Sequence, residues 1–170
     1  MTLWMRIIRN FMKITLITVG KIKEKFFREA VSEYEKRLSR YCKLRIEETA
    51  DEKTPEQASA VQREQILQKE GERIDRLIPE DAYVVTLEIE GRKLTSERFA
   101  GEIERLCVNG TSHIVFVIGG SLGLHHTIKE RADLALSFSD MTFPHQLMRV
   151  VLLEQIYRAY RIINGEPYHK

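Results

Sequence analysis

The sequence predicts an α/β fold in which one mostly parallel sheet is flanked by helices. Segments of strand character alternate with segments of helical periodicity along the 170 residues, and this alternation is typical of parallel sheets. The stretch HIVFVIGG at 113–120 is an unbroken apolar run, which favours a central strand buried on both faces. No internal repeat, low-complexity tract or linker divides the chain, so we expect a single domain.

The first half of the chain predicts two strands and two helices. KITLITV at 13–19 is β-branched and apolar, and KLRIEET at 43–49 alternates apolar and polar residues as a half-exposed strand does. Between them, apolar residues from 24 to 41 recur at helical spacing. TPE at 54–56 supplies a cap followed by a proline at the first helical position. We therefore expect the second helix to begin there and, with its thin apolar stripe, to be exposed.

The second half continues the alternation. It predicts a strand at 82–89, a turn at 90–93 and a helix at 96–108. A strand at 113–120, a short helix up to about 131, a short strand at 134–138 and a last helix at 144–163 follow. The last helix is the longest, and proline opens it.

Composition describes an ordinary globular protein, with 43% hydrophobic and 31% charged residues. The net charge is only +2, but residues 1–45 carry twelve Lys and Arg against four Asp and Glu. A basic surface of this kind could meet a polyanion such as RNA, although a solvated helix face would look the same. No apolar run reaches the ~20 residues that a membrane span requires.

Residues 1–11 and the cysteines bear on compartment and domain limits. Arg6 and Arg9 interrupt the apolar start, which therefore lacks the hydrophobic region of a signal peptide. We expect 1–11 to be an extension and the domain to span 12–170. Cys42 and Cys107 have no metal-ligand spacing, so we expect two reduced thiols in a cytoplasmic protein.

Two glycine- and hydroxyl-rich stretches are candidates for a ligand site. IGGSLGL at 118–124 lies where the buried strand should end, and ligands of open α/β sheets bind outside the carboxyl ends of strands. It matches neither a dinucleotide-binding nor a P-loop motif, so a purely structural turn is nearly as compatible. LSFSDMTFPHQ at 136–146 is long for a connection, and its apolar and hydroxyl residues suit a small-molecule pocket. A helix start with packed aromatics is the simpler alternative.

The last helix combines an apolar surface with one polar stripe. At 100° per residue, Glu154, Arg158 and Arg161 share that stripe, and most of the remaining circumference is apolar. We expect a second subunit to cover the outer side. The stripe is also compatible with a simple Glu154–Arg158 surface pair four residues apart.

The histidines do not predict a metal centre. His125 and His126 resemble a zinc pair only superficially, because adjacent residues do not share a face, so we expect no metal there. His145 lies near a helix start, where the dipole disfavours the imidazolium form, so a neutral structural histidine is expected. His113 opens a buried strand and is expected to be structural as well.

The C-terminal block identifies a family resemblance. IGGSLGL, followed by SFSDMTFPHQLMRVVLLEQIYRAYRIINGEPYHK, resembles the family of bacterial ribosomal RNA large subunit methyltransferase H enzymes, pseudouridine N3-methyltransferases of the SPOUT superfamily. MKITLITVGKIKE and LEIEGRKLTSERFA fit the same pattern, so the match spans 12–170. The departures are residues 1–11 and a glutamate where an aspartate often follows the leucine of LEIEGRK.

The resemblance implies a C-terminal trefoil knot, a homodimer and S-adenosylmethionine as the cofactor. It implies that the cofactor-binding residues are Leu87, Gly119, Phe138, Ser139, Asp140, Met141, Thr142 and Phe143. A side chain at position 119 would then obstruct the nucleoside. The implied substrate is a pseudouridine of large-subunit (23S-type) ribosomal RNA in the assembled ribosome, methylated at N3 without a metal ion.

The same resemblance implicates the final helix and the terminal YHK in activity. His169 would accept the N3 proton or position the base, because it titrates near neutral pH. Tyr168 would stack on or hydrogen-bond the target base, and Arg158 and Lys170 would contact phosphates. We expect Tyr168, His169 and Arg158 to be the catalytic residues, and these three with Lys170 to bind RNA.

Two other functions are compatible with the same sequence. The chain could be a non-enzymatic ribosome-binding or assembly protein, with the basic first third and the YHK end contacting RNA and the glycine loop purely structural. It could also be an enzyme of the same fold with another RNA target.

Overall fold

A single five-stranded sheet organises the protein. The computed structural model describes residues 12–167. The strands are β1 (Lys13–Val19), β2 (Lys43–Thr49), β3 (Tyr83–Lys93), β4 (His113–Ile118) and β5 (Leu134–Ser137). The helices are α1 (Lys25–Leu38), α2 (Ala60–Asp75), α3 (Ser96–Val108), α4 (His126–Arg131) and α5 (His145–Ile163). The strand order is β2-β1-β4-β3-β5, and every neighbouring pair is parallel.

The two central strands are buried because their side chains are apolar on both faces. In β1 every residue after the first is buried, and in β4 every residue after His113 is buried. Leu16 and Phe116 face a cluster that also contains residues of α1, α3 and α5. Ile17 and Val115 face a second cluster, with residues of α2 and α4. The α/β class and the parallel sheet predicted from the sequence are therefore confirmed.

Two local predictions are wrong. The expected turn at 90–93 is the continuation of β3, which runs to Lys93 with a register shift: Leu87 and Arg92 both pair with Leu136 of β5. A β-carbon at Gly91 would lie 2.8 Å from the β5 backbone, so only glycine allows this approach. The second helix begins at Ala60, and TPE at 54–56 does not start it, because Ser59 and Gln62 form a reciprocal capping box.

The sheet places the carboxyl ends of β4, β3 and β5 side by side. This is the edge where open α/β sheets bind ligands. The trefoil knot and the domain limits at 11 and 12 stay predictions, and residues 1–11 lie outside the described part. Among the helices of residues 12–167, none is long and apolar enough to span a membrane.

Candidate active site

A cavity of about 540 Å³ opens at this edge. Its size lies in the range of pockets for small molecules and cofactors. Three segments line it, namely 87–90 of β3, 118–124 at the end of β4, and 136–139 with 141–143 at the end of β5, together with residues of α4 and α5. The two candidate stretches from the sequence therefore meet in one pocket.

The glycine loop needs glycine for its own closure. A β-carbon on Gly119 would lie 2.6 Å from the carbonyl carbon of Gly123, and closer still to its oxygen. Gly123 has a φ of +88°, which favours glycine, and its N–H donates to the Gly120 carbonyl at 3.0 Å. Gly119 thus lets the loop fold back on itself. The sequence-based explanation considered only that a side chain at position 119 would obstruct the nucleoside, and it did not include this reason.

The hydroxyl groups of Ser137 and Ser139 hold the connection 138–143. The Met141 N–H donates to Ser139 Oγ at 3.0 Å, and Ser137 Oγ donates to the Ser139 carbonyl at 3.1 Å. Seven of the eight predicted cofactor residues line the pocket: Leu87, Gly119, Phe138, Ser139, Met141, Thr142 and Phe143. The exception is Asp140, which is not among the lining residues and whose carboxylate pairs with Lys93. The cofactor role of all eight stays a prediction.

Arg158 does not lie in this pocket. Its Nε and Nη2 atoms donate to Glu154 Oε1 at 3.0 and 2.6 Å, as the simpler alternative from the sequence expects. The pocket wall includes Met148, in the second turn of α5. Arg158 is ten residues further along the helix, which is about 15 Å at 1.5 Å per residue. Within one chain, Arg158 and the candidate cofactor site are therefore well separated.

The end of α5 is fixed by a capping motif and by a carboxylate. The Glu166 and Gly165 N–H groups donate to the Arg161 and Ile162 carbonyls, both at 2.9 Å, and Gly165 has a φ of +64°. This is the Schellman arrangement. The Glu166 carboxylate also accepts from Tyr41 Oη at 2.8 Å and pairs with Arg161. Tyr168, His169 and Lys170 lie outside the described residues.

Comparison with known proteins gives the family. Residues 12–169 match the family described as predicted SPOUT methyltransferases. The chain belongs to the SPOUT methyltransferase family. Similar proteins cover 94% of this chain over 159 residues, and the match includes the whole of each of them. They are the ribosomal RNA large subunit methyltransferases H of Bifidobacterium adolescentis, 66% identical, and Clostridium beijerinckii, 57% identical, and the putative enzyme of Methanococcus maripaludis, 61% identical.

A solved structure supports the fold alone. It is a probable methylase family protein from Haemophilus influenzae, with a TM-score of 0.50 and 12% sequence identity. The alignment covers 95% of this chain and 71% of that one.

Several pocket residues of this SPOUT chain were missed by reasoning from the sequence. Glu88 lines the pocket and accepts from Thr86 Oγ1 at 2.6 Å, and Lys129 Nζ lies 3.4 Å from its carboxylate. Lys129 and Met148 come from α4 and α5, so no local motif links them to the glycine loop. Glu88 had a signal, because it directly follows Leu87 at the end of the predicted strand.

The histidines of this SPOUT chain have different environments. His113 Nε2 lies 2.9 Å from Thr15 Oγ1. His145 lines the pocket, and burial, followed by the charge of Arg149, lowers the pKa of its imidazole. A neutral ring is therefore favoured, as predicted, although the causes are burial and Arg149. The ring centroids of His125 and His126 lie 4.1 Å apart, so the expectation that these adjacent residues do not share a face is wrong.

Proposed function

We propose that this protein is an S-adenosylmethionine-dependent methyltransferase that acts on N3 of a pseudouridine in large-subunit (23S-type) ribosomal RNA. The observation that carries the proposal is the pocket built from segments 87–90, 118–124 and 136–143 in a chain of the SPOUT family. The substrate follows from the names of the relatives and from the resemblance of the C-terminal block. We propose the assembled ribosome as the form of the substrate, and hence the cytoplasm as the location.

The pocket residues fit the chemical groups of S-adenosylmethionine. Leu87, Ile118 and Phe138 offer apolar surface for a purine ring. Glu88 is a carboxylate with a side chain 15% exposed, suited to accept hydrogen bonds from ribose hydroxyls or an ammonium group. Ser139 adds a hydroxyl. We propose that these residues and the other predicted lining residues hold the cofactor.

The chemistry that we propose is a direct displacement. The cofactor supplies an electrophilic methyl group on a sulfonium, so no metal ion is needed. The protein must hold the target base in line with that methyl group and assist the loss of the N3 proton. We assign the proton, or the placing of the base, to His169. Tyr168 would stack on the base, and Arg158 and Lys170 would bind phosphates.

We propose a homodimer because of the distance between these groups and the pocket. Arg158 lies about 15 Å along α5 from the pocket wall. Leu147 and Val151 lie on the same side of the helix as Arg158, at successive spacings of four and seven residues, and each is only half-buried. A second copy packed on this stripe would cover them and could bring Arg158 and the C-terminal tail toward the partner's pocket.

A methyl-transfer assay tests the proposal. Ribosomes that lack the modification are incubated with cofactor labelled in the methyl group, and a chain ending at Pro167 is compared with the full chain. We expect the full chain to transfer label to N3 of one pseudouridine. The shortened chain should bind the cofactor in calorimetry with unchanged affinity but transfer little label, because it retains the pocket and the Glu166 contacts.

Three outcomes would contradict this function or part of it. Without cofactor binding by the full chain, a non-enzymatic ribosome-binding role would replace the proposal. Transfer to a different base or RNA would retain the chemistry and reject the substrate. Full activity of the shortened chain would reject only the roles of Tyr168, His169 and Lys170.

A further inference from the structure

Glu64, His125 and His126 bring a carboxylate and two imidazoles together beside the glycine loop. Glu64 belongs to α2, and the two histidines form the entry into α4. Glu64 Oε1 lies 3.0 Å from His125 Nε2 and 3.8 Å from His126 Nδ1. All three atoms lie within 4.8 Å of one another.

A hydrogen bond accounts for only part of this geometry. It explains the 3.0 Å separation of Glu64 and His125, but 3.8 Å to His126 is too long for one. Ligand atoms at the usual 2.0–2.1 Å from a tetrahedral zinc ion would be about 3.3–3.4 Å apart. The two separations from Glu64 lie on either side of that value, and the two imidazole nitrogens lie within 4.8 Å of each other. Side-chain rotations would therefore be needed to bring the three atoms onto one ion.

His125 is already oriented as metal-binding histidines usually are. Its side chain is 8% exposed, and Nδ1 lies 2.8 Å from Thr127 Oγ1. A hydroxyl can donate or accept, so Thr127 can support the tautomer that leaves Nε2 free for an ion. A β-carbon at position 71 would lie 2.9 Å from His125 Cβ, so Gly71 lets α2 pack against this histidine.

We propose that Glu64, His125 and His126 form a binding site for a divalent transition-metal ion of the zinc class, with water completing the ligand set. Two imidazoles and one carboxylate suit such ions. Adjacent histidines converge here because His125 precedes α4 with extended backbone (φ −61°, ψ 146°) and only His126 is helical. The ion would join α2 to α4 next to the glycine loop, apart from the methyl transfer.

Metal titration of the full, untagged protein tests the site. The protein is first treated with a chelator and then titrated with Zn²⁺ in calorimetry and with Co²⁺ in visible absorption. We expect one equivalent to bind, with the strong absorption of four-coordinate Co²⁺. Zn²⁺ at 100 times its dissociation constant should raise the melting temperature by about 5–10 °C.

Variants assign the binding to these residues. Glu64 and His126 are exposed, so Glu64→Gln and His126→Ala should fold and weaken Zn²⁺ binding at least tenfold. Thr127→Val should weaken it by about 10–100-fold through the lost partner of His125. Glu130→Gln on α4 is the matched control for charge, and His169→Ala is the control for binding by the tail; both should bind Zn²⁺ as the wild type does.

Specific results would overturn the site. These are no binding of either ion, unchanged affinity in both Glu64→Gln and His126→Ala, or loss of binding in His169→Ala. Because the readout is metal binding, none of these results depends on methyltransferase activity.

Discussion

Replacing Gly119 by alanine tests whether the glycine loop shapes the proposed cofactor pocket. The new β-carbon would lie 2.6 Å from the Gly123 carbonyl carbon and 3.0 Å from Leu124 Cδ2. The first neighbour is backbone, so the loop itself must move. Overpacking of this kind costs about 1–3 kcal/mol, equivalent to a fall in melting temperature of about 2–12 °C for a chain of this size. Gly119 also lines the pocket, so we expect cofactor affinity to fall at least tenfold.

Gly101→Ala is the matched control for this change. Gly101 lies in α3, and a β-carbon there would meet nothing within 4 Å. The same substitution should raise stability by about 0.5–1 kcal/mol, because alanine has the higher helix propensity. Thermal unfolding and calorimetry with S-adenosylmethionine measure both effects. If Gly119→Ala melts and binds cofactor as the wild type does, the loop does not depend on this contact and the reasoning fails.

Three further predictions concern other parts of the fold. Tyr41→Phe removes the 2.8 Å hydrogen bond to Glu166 and should lower the free energy of unfolding, measured by urea titration, by about 1 kcal/mol. If the direction of the chain after Glu166 matters for activity, methyl transfer should also fall while cofactor affinity is unchanged. Arg149→Met removes a side chain, 2% exposed, that pairs with Glu48 at 2.7 Å and donates to the Val19 and Gly20 carbonyls. Breaking this pair should lower the free energy of unfolding by about 3–5 kcal/mol, whereas Arg37→Met, which breaks an exposed helical pair, should change it by less than about 0.5 kcal/mol. Burial and the Arg149 charge lower the pKa of His145, so the unfolded chain binds the proton at a higher pH than the folded chain does. The contribution of His145 to stability is therefore complete above about pH 6.5 and is lost as the pH falls below it. His145→Gln should make the pH dependence of the free energy of unfolding shallower in that range.

The parts of the fold that depend on local pattern were predictable from the sequence. β1 and β2 agree with the predicted 13–19 and 43–49, because runs of β-branched and alternating residues carry that signal on their own. The extension of β3 to Lys93 was not predictable, because EGRK at 90–93 is typical of a turn in isolation. It is a strand here because β5 pairs with it and Gly91 leaves room for the β5 backbone. Strand order depends on such long-range pairings as well.

The start of α2 shows a different kind of error. Thr54 and Pro55 satisfy the rules for a helix start, yet Ser59 and Gln62 satisfy a more specific one, the reciprocal capping box. Both signals were in the sequence. The capping box starts the helix because it satisfies two N–H groups at once, those of Ser59 and Gln62. The three-residue spacing of this pair was therefore a better signal than the single cap at Thr54.

Only those parts of the candidate site that are continuous segments of sequence were predictable. The glycine loop and the connection 138–143 were found because each is unusual in composition at the end of a strand. Lys129 and Met148 reach the same cavity from two helices, and their sequences contain nothing that marks them. The rule that adjacent residues do not share a face fails for His125 and His126, because His125 has extended backbone and the helix begins only at His126.

The position of Arg158 has a consequence for how the site can work. Its guanidinium is held by Glu154 through two donors to one carboxylate oxygen, and both side chains are at least three-quarters buried. Such a pair is costly to separate, so a phosphate that binds Arg158 would have to compete with Glu154. With the pocket about 15 Å away along α5, the position of Arg158 agrees better with the proposed RNA contact than with a role at the chain's own proposed cofactor site. The guanidinium held by Glu154, on the half-buried stripe with Leu147 and Val151, is therefore the feature that most supports the proposal of a site shared between two copies of the chain.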